Sequence, residues 1–414
     1  MGLPTIYMLQ NQIPKVKHKP SESSQSDDTT YDPSLETLAE IFNLNKDEKN
    51  LWGYKLSDEP GFNMWGYTTP TAAVGTEDLC AMYRTYLQNA NGHIGYVTLP
   101  VVAARKYVGD EIYNIQFADN IKYERYLRAV KDRLNPALLS VDIYPILEYS
   151  SENGECVDMS GVLILSRYYY MIEVIGNFST DTNIPFWMYI LSSQFNINYE
   201  GSEVIKTKFP FPTEGILRFQ AMTALAYGFQ GVAFWTYTLN TTKSEEESSS
   251  NEKFLLAPYN YNDEGDVEIS DIWYNCAAVI PEIKLYGKIL INAKFIEARH
   301  VYGPEYLKNK FPITSEFVSY MGCVAYATAS GRGFVITRLD KGADKYVAVV
   351  SHDPNDYQDI TLTLCAGCRW TEYKLLDSSD NYLVETVHER KEYEELVNFT
   401  LKPGGIMLIK YEWV

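Results

Sequence analysis

The segment Leu51-Trp-Gly-Tyr-Lys-Leu-Ser-Asp-Glu-Pro60 decides the fold, because a strand-like apolar run leads directly into two carboxylates and a proline. The aromatic and aliphatic residues of Leu51–Leu56 predict a buried strand. A carboxylic acid just beyond such a strand lies beside apolar walls that can raise its pKa, as a general acid at neutral pH requires. Asp58 and Glu59 are therefore candidate site residues. The alternative is that both carboxylates cap a helix or a loop.

Strands and helices alternate on both sides of this segment. Strands are predicted over Leu3–Leu9, Leu51–Leu56, Ile94–Pro100, Leu138–Pro145, Phe186–Leu191 and Gly231–Tyr237. Helices are predicted over Ser34–Asn43, Glu77–Gln88, Lys122–Leu134, Met159–Ile175, Thr213–Tyr227 and Asp271–Ile291. Several strands are continuously apolar, which is typical of parallel strands buried on both faces. The pattern predicts an α/β fold, a (β/α)8 TIM-type barrel with extended loops.

The predicted barrel has six units and not eight; either two units lie upstream in the natural protein, which we expect, or the first two units are misassigned. A polar stretch over 15–33 predicts a mobile loop. After about residue 292 the helical patterns stop, and Thr, Val, Tyr and recurrent turn residues predict an antiparallel β-sandwich. The expected domains are a barrel over 1–291 and a sandwich over 292–414.

Two further carboxylates are candidates for catalysis, because polar residues at the carboxyl ends of barrel strands face the active site. Asp142 ends the strand before Tyr144 and Pro145, although a strand-end aspartate can also cap the following turn. Glu214 follows the long loop after Leu191 and could reach the mouth of a pocket. It could equally be an acid in the first turn of a helix, where the helix dipole favours it.

Aromatic residues make up 14% of the chain, with 34 tyrosines and 7 tryptophans. Such residues can stack on flat apolar faces, including those of sugar rings, or can simply fill a large core. Seven side chains on or beside the predicted strands are candidates for substrate binding: Asp58, Trp65, Tyr144, Trp187, Gln194, Trp235 and Tyr237.

Charge and motif content exclude several classes of function. The net charge of −18 repels phosphate backbones, so no nucleic-acid partner is expected. The sequence has no run of about 18 apolar residues that would predict a membrane span. It has none of the metal-binding histidine, serine-hydrolase or nucleotide-binding motifs, so we expect no metal or cofactor. The lone pair Cys365-Ala-Gly-Cys368 favours a local disulfide or reduced thiols over a metal or redox centre.

An ordered set of segments resembles a known family. The set is Trp52–Pro60, Tyr96–Pro100, Leu139–Pro145, Arg218–Gly231 and Phe234–Tyr237. It resembles the barrel glycoside hydrolases of the β-galactosidase-like superfamily (clan A type), especially those encoded by gut-type Bacteroidetes. The tail Leu401–Ile409 looks like the last strands of the β-sandwich that follows the barrel in many of these enzymes.

The resemblance implies a glycoside hydrolase in which Glu59 is the acid/base residue at the end of the fourth barrel strand. The family's nucleophile is a glutamate ending the seventh strand, where this chain has Ser192-Ser-Gln194. Asp142 or Glu214 would then substitute, or the mechanism would use a water molecule, or the protein would be a non-catalytic carbohydrate-binding protein on a degenerate barrel. The resemblance favours a periplasmic or extracellular location, although the first residues lack a signal-peptide pattern.

Overall fold

A computed structural model gives the fold. It describes residues 5–8, 35–49, 51–58, 76–99, 118–150, 156–159, 162–165, 168–198, 205–240, 252–261, 266–304, 315–375, 383–389 and 391–413. The predicted loop over 15–33 lies outside these residues, as do Glu59 and Trp65. Within the described residues, no helix is both long and apolar enough to cross a membrane.

The described helices are α1 (Leu35–Asn45), α2 (Thr76–Asn89), α3 (Ala118–Leu134), α4 (Tyr168–Thr182), α5 (Glu214–Ala226) and α6 (Asp271–Leu290). The strands of the first half are β1 (Thr5–Met8), β2 (Leu51–Asp58), β3 (Ile94–Leu99), β4 (Leu139–Asp142), β5 (Ile146–Leu147), β6 (Tyr149–Ser150), β7 (Cys156–Met159), β8 (Val162–Leu165), β9 (Phe186–Leu191) and β10 (Gln194–Asn198). They are followed by β11 (Ile205–Lys208), β12 (Gly231–Trp235), β13 (Thr238–Asn240), β14 (Glu252–Leu256), β15 (Tyr259–Tyr261) and β16 (Val267–Ile269). The last nine strands are β17 (Lys294–Tyr302), β18 (Val324–Ala329), β19 (Gly333–Lys341), β20 (Asp344–Ser351), β21 (Gln358–Leu364), β22 (Cys368–Lys374), β23 (Val384–His388), β24 (Glu395–Leu401) and β25 (Ile406–Trp413).

The six strands that the sequence predicts for the barrel form one six-stranded sheet. Its strand order is β1-β2-β3-β4-β9-β12. The pairs β1–β2, β2–β3 and β3–β4 are parallel. The mixed α/β class is therefore confirmed, with a parallel sheet that accounts for part of a TIM-type barrel. A full barrel of eight strands is not formed by the described residues.

The chain divides into two compact units. The first comprises the chain up to Asp142 together with Ile184–Trp187, and the second comprises Ile143–Asn183 and Met188–Val414. In the first unit, α1 buries Leu38 and Phe42, as expected from the helical spacing of its apolar residues. The Phe42 ring meets Tyr54 of β2 edge-on at 4.8 Å.

One predicted helix is partly wrong. Met159–Ile175 was expected to be helical, but Val162–Leu165 is a strand that pairs antiparallel with Cys156–Met159. The helix begins only at Tyr168 and continues to Thr182. The short run Val162-Leu-Ile-Leu165 is apolar throughout, and periodicity cannot distinguish a buried strand from a helical turn over so few residues.

The C-terminal strands form two antiparallel sheets. One has the order β17-β19-β20-β25-β22-β23 and the other β18-β21-β24. Both sheets contribute to one apolar core, with Ile336 and Ile409 from the first and Leu362 and Phe399 from the second. A sheet-on-sheet core of this kind makes the C-terminal part β-rich, as predicted. The predicted domain boundary between residues 291 and 292 does not coincide with the division into compact units, and it stays a prediction.

A buried ionic network lies in the second unit between α5, α6 and the loop after β24. Arg218 of α5 donates two hydrogen bonds to Glu282 of α6, at 2.9 and 3.0 Å, and a third to the carbonyl oxygen of Pro403 at 3.0 Å. Lys402 binds the same Glu282 carboxylate at 2.7 Å. At Gly404, whose φ is +63°, an added Cβ would lie 2.5 Å from the backbone nitrogen of Phe219. This close approach and the ionic network together fix the position of α5.

Candidate functional site

A row of polar residues crosses the parallel strands of the first unit. The backbone register pairs Asp58 of β2 with Thr98 of β3, and Thr98 with Ser140 of β4. Thr98 and Ser140 are fully buried, and their hydroxyl oxygens are 2.9 Å apart. Side chains that meet across paired strands point to the same face of the sheet. The sheet therefore buries a polar face at this point, where a packed core would carry apolar side chains.

A second polar position lies nearer the amino ends of the same strands. Lys55 pairs with Tyr96, and the register shifts between Lys55 and Ser57. Lys55 is only 2% exposed, which is unusual for lysine. The ring of Tyr96 lies 5.7 Å from that of Trp187 on β9. A buried cation, two hydroxyls and two aromatic rings thus share the parallel sheet in this unit.

Two of the predicted site residues are the last residues of strands in this sheet. Asp58 is the last residue of β2 and Asp142 the last of β4. Asp142 is half-buried and lies two residues beyond Ser140, which puts both side chains on one face. Because only β3 separates the two strands, the backbones of β2 and β4 run about 10 Å apart. Glu59 follows Asp58 directly in the sequence.

An aromatic wall lies in the second unit, and Tyr144 and Trp235 form its half-buried part. Their rings stack at 5.6 Å with an interplanar angle of 20°. Phe195 lies behind them, 6.0 Å from Trp235 and stacked on Phe209 at 4.2 Å and on Phe254 at 5.0 Å. The buried phenylalanines hold the two outer rings in place. Sequence reasoning found Tyr144 and Trp235 but missed the three phenylalanines, which lie on or beside short strands that it did not predict.

Two serines at the end of β9 bind the chain that follows β12. The backbone N–H of Ser192 donates to the carbonyl oxygen of Trp235 at 2.7 Å, and the Ser192 hydroxyl donates to that of Thr236 at 3.3 Å. The backbone N–H of Thr236 donates to the Ser193 hydroxyl at 3.3 Å. The peptide bond between Trp235 and Thr236 is cis. The half-buried Gln194, a predicted binding residue, begins β10.

Gln220 of α5 fixes the carboxyl end of β9, and sequence reasoning did not single it out. Its side-chain oxygen accepts the backbone N–H of Leu191 at 2.9 Å, and its amide nitrogen donates to the Leu191 carbonyl at 3.3 Å. Gln220 is 1% exposed. The sequence signal that could have identified Gln220 is its position in the middle of a largely apolar helix. A glutamine buried there needs hydrogen-bond partners for its amide.

Tyr237 belongs to a second aromatic group. Its ring lies 5.3 Å from Tyr259, whose hydroxyl accepts a hydrogen bond from the Trp273 indole N–H at 2.7 Å. Burial raises the pKa of the Tyr237 phenol. Tyr237 therefore stays a neutral hydrogen-bonding group at physiological pH. Within the second unit it packs with β15 and α6.

Glu214 occupies the first turn of α5, directly after the N-cap Thr213. Its carboxylate is 47% exposed and pairs with Arg218 at 3.2 Å. This is the arrangement of a helix acid that the dipole and an i,i+4 partner stabilise. Its catalytic role stays a prediction.

A narrow crevice connects the aromatic wall with α5. It is lined by Tyr144, Ile146, Leu191, Pro210, Pro212, Ile216 and Gln220, and it does not admit a water-sized sphere. The crevice is therefore a packing gap in the second unit. Among the described residues, no group of three or more His, Cys, Asp and Glu side chains is arranged to hold a metal ion.

Comparisons with known proteins give structural similarity without sequence similarity. No protein-family model matches the chain, and no curated protein matches it. A glucosidase from Croceicoccus marinus is 9% identical with a TM-score of 0.34, over 92% of this chain and 75% of that one. A rhamnosidase from Novosphingobium sp. PP1Y is 8% identical with a TM-score of 0.43, over 82% of this chain and 39% of that one. A β-porphyranase from the human gut bacterium Bacteroides plebeius is 7% identical with a TM-score of 0.32, over 91% of this chain and 60% of that one. These three similar structures are those of glycoside hydrolases.

Proposed function

We propose that this protein is a glycoside hydrolase that cleaves O-glycosidic bonds of an oligo- or polysaccharide by carboxylate catalysis. One observation carries the proposal: the parallel sheet buries a polar row between two strands that end in carboxylates. The hydroxyls of Thr98 and Ser140 are hydrogen-bonded to each other, which offsets the cost of burying them and keeps polar groups on this face of the sheet. Carboxylates at the carboxyl ends of parallel strands are the usual position of catalytic groups in α/β barrels.

Glu59 is proposed as the general acid. It would donate a proton to the oxygen of the leaving sugar as the glycosidic bond breaks, and positive charge would develop on the other sugar ring. Asp142 is proposed as the second carboxylate, which would either attack the sugar or activate a water molecule. We favour Asp142 over Glu214, because Asp142 ends a strand of the polar row whereas Glu214 is exposed and already paired with Arg218.

Substrate binding is proposed for the aromatic side chains. Tyr144 and Trp235 are half-buried and stack on each other, supported by Phe195 from behind. Rigid aromatic faces suit the apolar C–H faces of sugar rings, and ordering them costs little entropy because the wall is already packed. Asp58, Trp65, Trp187, Gln194 and Tyr237 complete the proposed binding residues.

The experiment is a measurement of sugar release from a broad panel of plant and host glycans. Wild type, Glu59→Gln and the matched control Glu389→Gln are assayed in parallel; Glu389 is 78% exposed and directly follows β23. We expect release by wild type and by the control, and a loss of at least about a hundredfold in Glu59→Gln. Equal turnover in all three proteins would overturn the assignment of Glu59.

A second candidate function is a carbohydrate-binding protein without catalytic activity. It is favoured by the end of β9, where Ser192 and Ser193 bind backbone groups at residues 235 and 236 and no carboxylate follows the strand. This function predicts saturable binding of a glycan with no product formed. Calorimetric titration of the glycans of the panel, followed by product analysis of each mixture, separates the two functions. Any cleavage that Glu59→Gln abolishes would exclude the non-catalytic one.

A further inference from the structure

Three cysteines lie together at one end of the C-terminal strands. Cys323 directly precedes β18, Cys365 directly follows β21, and Cys368 is the first residue of β22. Because β18 and β21 pair antiparallel, with Val324 opposite Leu364, the ends that carry Cys323 and Cys365 meet. The backbone N–H of Cys365 donates to the carbonyl oxygen of Cys323 at 2.8 Å. All three are free thiols in the structure.

Two of these thiols contact each other across the sandwich. The Cys323 thiol donates a hydrogen bond to the sulfur of Cys368, whose own thiol donates to the carbonyl oxygen of Arg369 at 3.5 Å. Cys323 is fully buried and Cys368 is 3% exposed, and both belong to the apolar core of the two sheets. Since β18 and β22 belong to different sheets, a bond between these sulfurs would join the sheets covalently.

The surroundings give the two sulfurs different reactivities. The hydrogen bond from Cys323 lowers the pKa of the Cys368 thiol, whereas burial raises the pKa of Cys323. Burial also raises the pKa of Cys365, which is partly exposed. Because the thiolate is the attacking species in disulfide exchange, Cys368 is the thiol that reacts first once the strand end opens.

We infer that Cys323 and Cys368 are a redox-active pair that forms a disulfide between the two sheets on exposure to a small-molecule disulfide. The Cys368 thiolate attacks one sulfur of the oxidant, which gives a mixed disulfide and releases one oxidant thiolate. Cys323 then loses its proton and displaces the second oxidant thiol from Cys368. Two protein thiols are oxidised to one disulfide and one oxidant disulfide is reduced to two thiols. Neither the catalytic proposal nor the sugar-binding proposal depends on this pair.

The test exposes the full-length protein to oxidised glutathione and maps the bonds by mass spectrometry. Cleavage after lysine and arginine leaves Cys323 in the peptide 311–332 and both other cysteines in the peptide 346–369. We expect these two peptides to become linked, and fragmentation of the linked species to place the bond at Cys368. A bond within 346–369, between Cys365 and Cys368, would overturn the proposal, as would the absence of any bond.

Single substitutions give an independent readout. Cys365→Ala is the matched control, because it removes the more exposed neighbouring thiol and leaves the proposed pair intact; we expect it to form the link like wild type. Cys323→Ala and Cys368→Ala should not form it. We also expect oxidation to raise the melting temperature of wild type by about 5 °C or more, because the bond closes the long loop 323–368. If every molecule carries the Cys323–Cys368 disulfide and the melting temperature is unchanged, the bond must strain the sandwich. That result would contradict the proposal that the two thiols are positioned to form a disulfide.

Discussion

The parallel sheet and the C-terminal sandwich bury polar residues in different ways. In the parallel sheet, buried hydroxyls lie along the strands and at their carboxyl ends, as at Ser57, Thr98, Ser140 and Ser192. In the sandwich, the strands contribute a large apolar core, although His300, Thr337 and Ser351 are buried polar residues on its strands. Polar groups buried inside strands cost free energy unless they are hydrogen-bonded. The proposed function places the chemistry in the parallel sheet, and the sandwich would then supply support.

Other buried polar residues of the sandwich complete its loops. Asp353 lies in the turn after β20, is 1% exposed and pairs with Arg332 at 3.3 Å. Its carboxylate also accepts the backbone N–H groups of Asn355 and Asp356 at 2.8 and 3.0 Å. Gln358 accepts the backbone N–H of Arg332 at 2.7 Å. Each of these groups closes a turn, so substitutions here should affect stability and leave chemistry alone.

The largest expected effect is on the second carboxylate of the parallel sheet. Asp142→Asn keeps the shape of the side chain and removes its charge, so activity should fall by about 10²–10⁴-fold with the fold intact. Glu214→Gln should keep activity within about twofold, because Glu214 is exposed and bound to Arg218. Initial rates on the best glycan of the panel check both variants. The reverse pattern would assign the role to Glu214.

The next largest effect is expected on folding stability, and not on catalysis. Glu282→Gln leaves the buried Arg218 and the nearby Lys402 without their carboxylate, so the free energy of unfolding should fall by about 3–5 kcal/mol. Activity per folded molecule should stay unchanged. Urea unfolding measures the loss, and Glu214→Gln serves as the control because it removes the half-exposed carboxylate that binds the same arginine, which water screens. Equal losses in both variants would mean that the buried carboxylate of Glu282 contributes no more than the half-exposed one of Glu214.

A pH effect of intermediate size is expected from two histidines. His300 and His352 are fully buried, their ring nitrogens are 3.0 Å apart, and the ring of Tyr169 packs on both. Burial lowers the pKa of His352 to about 3 and that of His300 well below its usual value. In the unfolded chain both take up protons near pH 6.5. The unfolded state therefore binds more protons below that pH, so stability is full above it and falls as the pH decreases toward 3.

The slope should reach about 1.4 kcal/mol per pH unit for each histidine. Urea unfolding at pH 7.5, 6.5 and 5.5 measures it. His352→Gln keeps a hydrogen-bonding group but has no proton to gain, so its unfolding free energy should depend less steeply on pH. Burial raises the pKa of Asp353 next to His352, and comparing variant with wild type at each pH cancels its contribution. An identical pH dependence in both proteins would contradict the buried, neutral pair.

The smallest expected effect is on sugar stacking. Tyr144→Ala removes one ring of the aromatic wall, which should raise KM by about five- to tenfold, equivalent to about 1 kcal/mol. Tyr144→Phe keeps the ring stacked on Trp235 and should raise KM by no more than about twofold. Steady-state kinetics distinguishes the two variants. A larger loss for Phe than for Ala would show that the hydroxyl, and not the ring, contributes to binding.

Long periodic segments could be predicted from the sequence, whereas short strands could not. Phe186–Leu191 is the predicted strand β9, and the predicted helix over Thr213–Tyr227 is α5 with its two cap residues. The strands β5–β8, β10, β11 and β13–β16 were not predicted, because two to five residues carry too little periodicity. The segments that follow β4, β9 and β12 fold into small sheets, and some of their strand pairs, such as β6 with β11, join segments distant in sequence.

The candidate site was only partly predictable for the same reason. Asp142 could be placed at a strand end because its strand is local, and the structure has it there. The support of Trp235 by Phe195 and Phe254, and the hydrogen bonds of Gln220 to Leu191, depend on contacts between distant segments. Such contacts leave no local pattern in a single sequence.

The central claim is that the carboxylates of the parallel sheet act together on a glycosidic bond. The most direct test is kcat/KM of Glu59→Gln, Asp142→Asn and the double variant beside wild type, with melting temperatures of all four proteins. We predict that each single substitution lowers kcat/KM at least about a hundredfold, and that the double variant is little worse than the weaker single one, because groups that act as a unit are not additive. Melting temperatures should agree within about 2 °C. Wild-type kcat/KM in either single variant would contradict the claim.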